Sequence, residues 1–158
     1  MRGILASLLA LVALLASSCG GGGENKPLTK AEYEKELGTM FRELQGKTLP
    51  GVLTVSPAAR EGAVRRLKDA EATLRGDATK LAEMKPPADA AGPTSQIASA
   101  IKEIAGRVSE ARKDAEDGNF GRLEQFKVQI ASDPAVAQIR DAVVRLVNLG
   151  YDVAGPGP

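Results

Sequence analysis

Histidine and tryptophan are absent from this chain, cysteine occurs once, and its 158 residues include only three phenylalanines and two tyrosines. Without histidine, the commonest general base and the commonest zinc ligand are missing. So few aromatic rings leave little to stack on sugars or bases. One cysteine cannot close a disulfide within the chain. Charge of one sign is lacking too, because 21 Lys and Arg face 20 Asp and Glu. Such a chain has no electrostatic reason to hold nucleic acid or an anionic surface. Strand-like alternation and internal repeats are also missing, so the expectation is helical.

The N-terminus is the most informative stretch. Arg2 is the only charge before Cys19, and residues Ile4 to Leu15 are almost wholly apolar. A basic start, an apolar core and small residues at a cleavage point are the layout of a secretory signal. The apolar run is about a dozen residues, short of the roughly twenty that a spanning helix needs. Cys19 is followed by Gly20 to Gly23 and then by Glu24, Asn25, Lys26 and Pro27. That run reads as a flexible polar tether over residues 19–28. A phosphate-binding loop would need a preceding strand and a lysine or spaced-glycine fingerprint, and neither is present. For Cys19 the alternatives are a leftover thiol after ordinary cleavage or a buried core residue. The glycines and polar residues that follow argue against the core.

Leu15-Ala16-Ser17-Ser18-Cys19 resembles the lipobox of bacterial lipoproteins, with the leucine four residues before the cysteine where three is commoner. The resemblance implies a diacylglyceryl group on the Cys19 sulfur and cleavage of the signal, residues 1–18, just before it. Loss of Arg2 with the signal makes acidic and basic residues equal in number. Two or three acyl chains, at about 0.8 kcal/mol per buried CH₂, give stable attachment to a membrane. The expected location is the outer face of the cell membrane, or the periplasmic side where the host has an outer membrane.

The rest of the chain divides into amphipathic segments. Thr29-Lys30-Ala31-Glu32 is a capping box opening a helix over residues 30–45, with Gly46 as a left-handed cap. Tyr33, Leu37, Met40, Phe41 and Leu44 are its apolar face. Residues Lys47 to Val55 read as an apolar loop that Pro50 and Gly51 keep from being helical. Ser56-Pro57 reads as the start of a second helix. Its stripe is Ala63, Leu67, Ala70, Leu74, Ala78, Leu81 and Met84, and Pro86-Pro87 stops it. A third helix carries Ile97, Ile101, Ile104, Val108, Ala111 and Ala115 and ends near Gly118. Phe120, Leu123, Phe126 (or Lys127) and Ile130 form a fourth segment, which Asp133-Pro134 breaks or kinks. The pattern resumes at Val136, Ile139, Val143, Leu146 and Val147, ending in a Schellman turn at Gly150 that lets Tyr151 close over Leu146. Residues 152–158 read as a flexible tail.

Four such segments with short connections predict an all-α fold, an antiparallel up-and-down four-helix bundle over residues 29–151. Five i,i+4 pairs, Glu43/Lys47, Glu61/Arg65, Glu71/Arg75, Glu103/Arg107 and Asp141/Arg145, are expected on solvated faces.

The order of these signals resembles small lipoproteins of unknown function from high-GC Gram-positive bacteria. The resemblance rests on Leu28 to Tyr33, Pro86 to Asp89, Gly118-Asn119 and Gly150 to Asp152. It implies an envelope helical bundle and supplies no activity. Such proteins often carry a cysteine in the first helix, which this chain lacks.

No catalytic group stands out. Glu32, Glu34 and Glu36, like Asp114, Glu116 and Asp117, are spread around a helix by their spacing and do not converge. Ser95, Ser99 and Ser109 have no histidine to activate them. No cofactor and no metal site is expected, and the chain does not read as an enzyme. Two functions fit: a membrane-tethered interaction or structural module that contacts an envelope protein, or a carrier of a small apolar ligand between the helices. The first would use the apolar residues Leu49 to Val55, unless they cap the bundle. The second would need an elongated cavity lined by Ile97, Ile101, Ile104 and Val143.

Overall fold

A computed structural model describes residues 26–54 and 59–153. Among them there are helices and no strand. The first arm comprises α1 (Lys30–Glu43), one π-helical turn (Leu44–Thr48) and α2 (Leu49–Leu53). The second is α3 (Arg60–Glu83), the third α4 (Ala91–Asp117). The fourth arm consists of α5 (Phe120–Ile130) and α6 (Pro134–Asn148) and is bent by 24°. Successive arms run antiparallel as a four-helix bundle, with α4 packed on α3, α5 and α6.

Local chemistry sets most boundaries. The capping box is formed: Glu32 N–H donates to Thr29 Oγ1 (3.4 Å), and Thr29 N–H donates to Glu32 Oε2 (2.8 Å). These bonds occupy donors that a helix start leaves without partners. The Thr29 hydroxyl and backbone N–H hold the Glu32 carboxyl below its ordinary pKa. At the other end of α4, Gly118 takes φ +78°, a left-handed conformation that side chains resist. Asp133 stops α5 and starts α6, where its carboxylate accepts from Ala135 N–H at 2.9 Å and Pro134 needs no donor partner. Gly150, with φ +83°, completes a Schellman turn in which Tyr151 N–H donates to Leu146 O and Gly150 N–H to Val147 O.

The core follows the stripes of the first three arms. Tyr33, Leu37, Leu67, Leu81, Ile97 and Ile101 are essentially inaccessible, and Ile104 and Val108 are buried. Each buried Leu or Ile contributes about 1.5–3 kcal/mol. Ala63, Ala70, Ala78, Ala100, Ala105, Ala111 and Ala115 are buried between them, and their small side chains let α3 and α4 approach closely.

Four expectations are corrected. Gly46 does not cap the first helix: it has no positive φ, and the chain stays helical to Leu53. Pro50 would press its ring on the carbonyl of residue 46 in a regular α-helix. The wider π turn before it, closed by Leu49 N–H donating to Leu44 O, relieves that clash. The loop expected at 47–55 is therefore helical through Leu53, while Val55 and the Ser56-Pro57 start lie outside the described residues. In α6 the phase is rotated. Ala135, Ala142 and Leu146 face the core, Val136, Ile139 and Val143 are half-buried at its edges, and Val147 is exposed. The half-buried residues still pack against the core, while Val144 and Val147 lie on the surface. Finally, Asp152 and Val153 belong to the bundle: Asp152 N–H donates to Glu34 Oε1 (2.9 Å) and Val153 is 1% exposed.

Candidate functional site

At the end of the bundle where residue 26 enters, contacts between distant segments tie three arms together. Leu28 N–H donates to Lys85 O (2.8 Å), fixing the entry to the turn between α3 and α4. The Tyr33 hydroxyl lies 2.8 Å from Thr94 Oγ1, which is itself bonded to Ala90 O at 2.7 Å. Threonine has one proton to give, so Tyr33 is the donor to Thr94. The Tyr151 ring stands edge-on to Tyr33, with centroids 5.3 Å apart, and its hydroxyl donates to Asp89 Oδ1 at 2.6 Å. Lys30 Nζ covers the Tyr151 ring at 5.2 Å. Three of the four segments that carry the resemblance, Leu28 to Tyr33, Pro86 to Asp89 and Gly150 to Asp152, thus meet at one end, while Gly118-Asn119 lies at the other.

Burial pushes both phenols up. The Tyr151 hydroxyl is raised to about 12 by desolvation, by its bond to Asp89 and by that carboxylate's charge. Tyr33 is raised by desolvation, and the Asp89 charge adds to this. Two protonated, hydrogen-bonded phenols hold the ends of three arms together and are poor nucleophiles or bases.

A second feature lies between α1 and α3. An open groove of about 580 Å³ is lined by Lys35, Thr39, Met40, Glu43, Asp77 and Lys80 among others. Asp77 is 4% exposed, and its Oδ2 has no hydrogen-bond partner. Burial raises its carboxyl pKa, the Lys80 charge opposes this and the Glu43 charge adds to it. The sequence reading missed Asp77, although it stands three residues after Leu74 and four before Leu81, inside the apolar stripe.

The other sequence candidates fall as follows. Cys19 lies outside the described residues. Glu32 serves the capping box, Glu34 accepts from Asp152, and Glu36 lines the α1–α3 groove. Asp114 pairs with Arg122 at 3.6 Å, while Glu116 pairs with Arg112. No three Asp, Glu, His or Cys side chains come together as a metal site among the described residues. Glu71 accepts from Arg75 and from Arg112, each at 3.0 Å. Its partial burial works upward, but Arg112, Arg75 and Ser109 outweigh it and lower the carboxyl pKa. Of the five expected i,i+4 pairs, Glu71/Arg75 forms. Arg107 instead reaches Asp133 (3.0 Å), and Arg145 donates to Gln96. Ile97, Ile101 and Ile104 are packed in the core, and the principal grooves are lined by other, mostly polar residues. Within α2 Val52 is buried, whereas Leu49 and Leu53 are 42% and 49% exposed.

In comparisons with protein-family models, curated proteins and solved structures, the chain has no significant match.

Proposed function

We propose that the protein is an exported lipoprotein, held on a membrane through a lipid on Cys19, whose helical bundle is a non-enzymatic interaction module of the cell envelope. The observation that carries this reading is the run Leu15 to Cys19 behind an apolar segment and ahead of a glycine tether. Two features support it. No helix among the described residues is long and apolar enough to cross a membrane. The chain also enters the bundle at the well-bonded Leu28–Lys85 end, leaving the opposite end to project away from the membrane. There α2 exposes Leu49 and Leu53, and paired exposed leucines at the tip of a bundle suit contact with an envelope protein.

The test is made in intact cells. Cys19→Ser is expected to leave the protein unprocessed or shed into the medium. Crosslinking and pull-down of the wild-type protein should recover an envelope protein that Leu49→Asp with Leu53→Asp no longer captures. Retention of Cys19→Ser on the membrane removes the anchor from the reading, and capture unaffected by the double variant removes the contact surface.

A further inference from the structure

The groove between α1 and α3 holds a charge that the fold leaves without a partner. It runs beside Glu36 to Glu43 on α1 and Asp77 to Met84 on and just past α3, about two helical turns. The Asp77 carboxyl lines it, is 4% exposed, and has an Oδ2 that accepts no hydrogen bond. A buried charge is costly unless it is paired. This one stands between Leu74 and Leu81 on the buried face of α3, where packing calls for a hydrophobic side chain. The Lys80 charge favours the ionised carboxyl, yet its ammonium does not bond Oδ2. Glu36, Glu43 and Glu83 line the same groove, so its carboxylates outnumber its two lysines, Lys35 and Lys80. Buried Met40 and half-buried Met84 add apolar walls that adapt to what lies against them.

We propose that this groove binds a primary ammonium group carried on an aliphatic stem, with Asp77 as the anion and Met40 and Met84 along the stem. An ammonium offers only donors, and its bond to a carboxylate is roughly twice as strong as a neutral one. A divalent metal asks for several oxygen ligands, and no three carboxylates converge among the described residues. A guanidinium prefers both oxygens of a carboxylate at once. With Oδ2 enclosed, Asp77 presents one oxygen at a time, by rotation about χ2, and that suits a point charge. The groove, about 580 Å³, is of ordinary ligand-pocket size, and its length of about 10 Å accommodates an alkylammonium stem. The surplus of negative charge draws cations toward it. A free alkyl diamine and a lysine side chain of a peptide present this same chemistry. The site is separate from the exposed leucines of α2 and does not rest on the Cys19 anchor.

The test is calorimetric titration of the full chain, in mild detergent at neutral pH, with cadaverine and with acetyl-lysine methylamide. Pentanol, which lacks the charge, and acetyl-arginine methylamide serve as comparisons. Both ammonium probes are expected to saturate one site per chain, with pentanol silent and the arginine derivative weaker. Asp77→Asn keeps the side-chain shape and should weaken the ammonium probes about tenfold or more, the loss of one charge-assisted bond. Glu43→Gln, at an exposed position on the groove wall, should weaken them about twofold by reducing the local field. Circular dichroism and the unfolding midpoint check that both variants are folded, so lost binding is not lost structure. Tighter binding of cadaverine assigns the site to a free amine, and tighter binding of the lysine derivative assigns it to a peptide side chain. Absence of saturable binding by both ammonium probes overturns the proposal. So does affinity unchanged in Asp77→Asn, or pentanol or the arginine derivative binding as well as the ammonium probes.

Discussion

Tyr33, in the first turn of the first arm, and Tyr151, just past the last, meet edge to face at an interplanar angle of 81°. The pair closes the bundle at the end where the chain enters, and each hydroxyl has a partner on the third side, Thr94 or Asp89. These are the only two tyrosines in the protein, and both are used for one joint.

Titrating the phenols tests that joint. The folded state keeps the Tyr151 proton up to about 12, whereas the unfolded chain releases it near 10. Between those values the folded state binds the extra proton, so the contribution of Tyr151 to stability falls as pH rises through that window. Absorbance at the tyrosinate band should show no release at the ordinary value of 10 while the protein stays folded. Tyr151→Phe should cost about 1–3 kcal/mol by removing the bond to Asp89. A normal titration of both tyrosines would contradict the packed geometry.

Asp77→Asn should stabilise the protein at neutral pH, because it removes a buried charge while keeping the shape of the side chain. The sign follows from the raised pKa. Below the ordinary value of 3.8 both folded and unfolded states are protonated and the charge costs nothing. As pH rises from there through the folded-state pKa, the buried carboxylate becomes a penalty that the amide does not incur. Chemical denaturation at acidic and neutral pH checks this. A destabilised amide variant at neutral pH would mean that the carboxylate has a strong partner.

Arg112→Ala acts in the opposite pH direction. Arg112 and Arg75 hold Glu71 below its ordinary pKa of 4.5, which gives stability that is present above that value and lost as pH falls through the folded one. Loss of Arg112 should cost about 1–2 kcal/mol near neutrality, because the pair is only partly exposed. The difference from wild type should shrink in acid. An unchanged difference at low pH would show that packing rather than charge carries the effect.

Ile104→Ala should cost about 2–5 kcal/mol, a cavity in the seam between α3, α4 and the fourth arm. Val128→Ala, on the exposed side of α5, should stay within about 0.5 kcal/mol. Equal effects at the two sites would place the core on the wrong faces.

Features set by local chemistry were legible in the sequence. The Thr29–Glu32 box, the Asp133-Pro134 break, the stop near Gly118 and the Gly150 turn each depend on a few adjacent residues, as does the isoleucine stripe of α4. What needed the third dimension was not legible. Pro50 reads as a breaker, yet a π turn absorbs it. Val136, Val143 and Val147 of α6 read as core, yet the first two lie only at its edge, Val147 is exposed, and Ala135 and Ala142 are the fully buried positions. Asp77 belongs to no motif and was passed over, although its place in the stripe was a usable signal. That Tyr33, Asp89 and Tyr151 meet follows from helix lengths and turn geometry, which no short motif encodes.

The most direct test of the account is the intact N-terminal mass of the protein isolated from its own membranes. A lipoprotein begins at Cys19, with a diacylglyceryl group in thioether linkage to its sulfur, and partitions into detergent. An N-terminus elsewhere, or an unmodified thiol on Cys19, would contradict the anchor and the envelope role built on it.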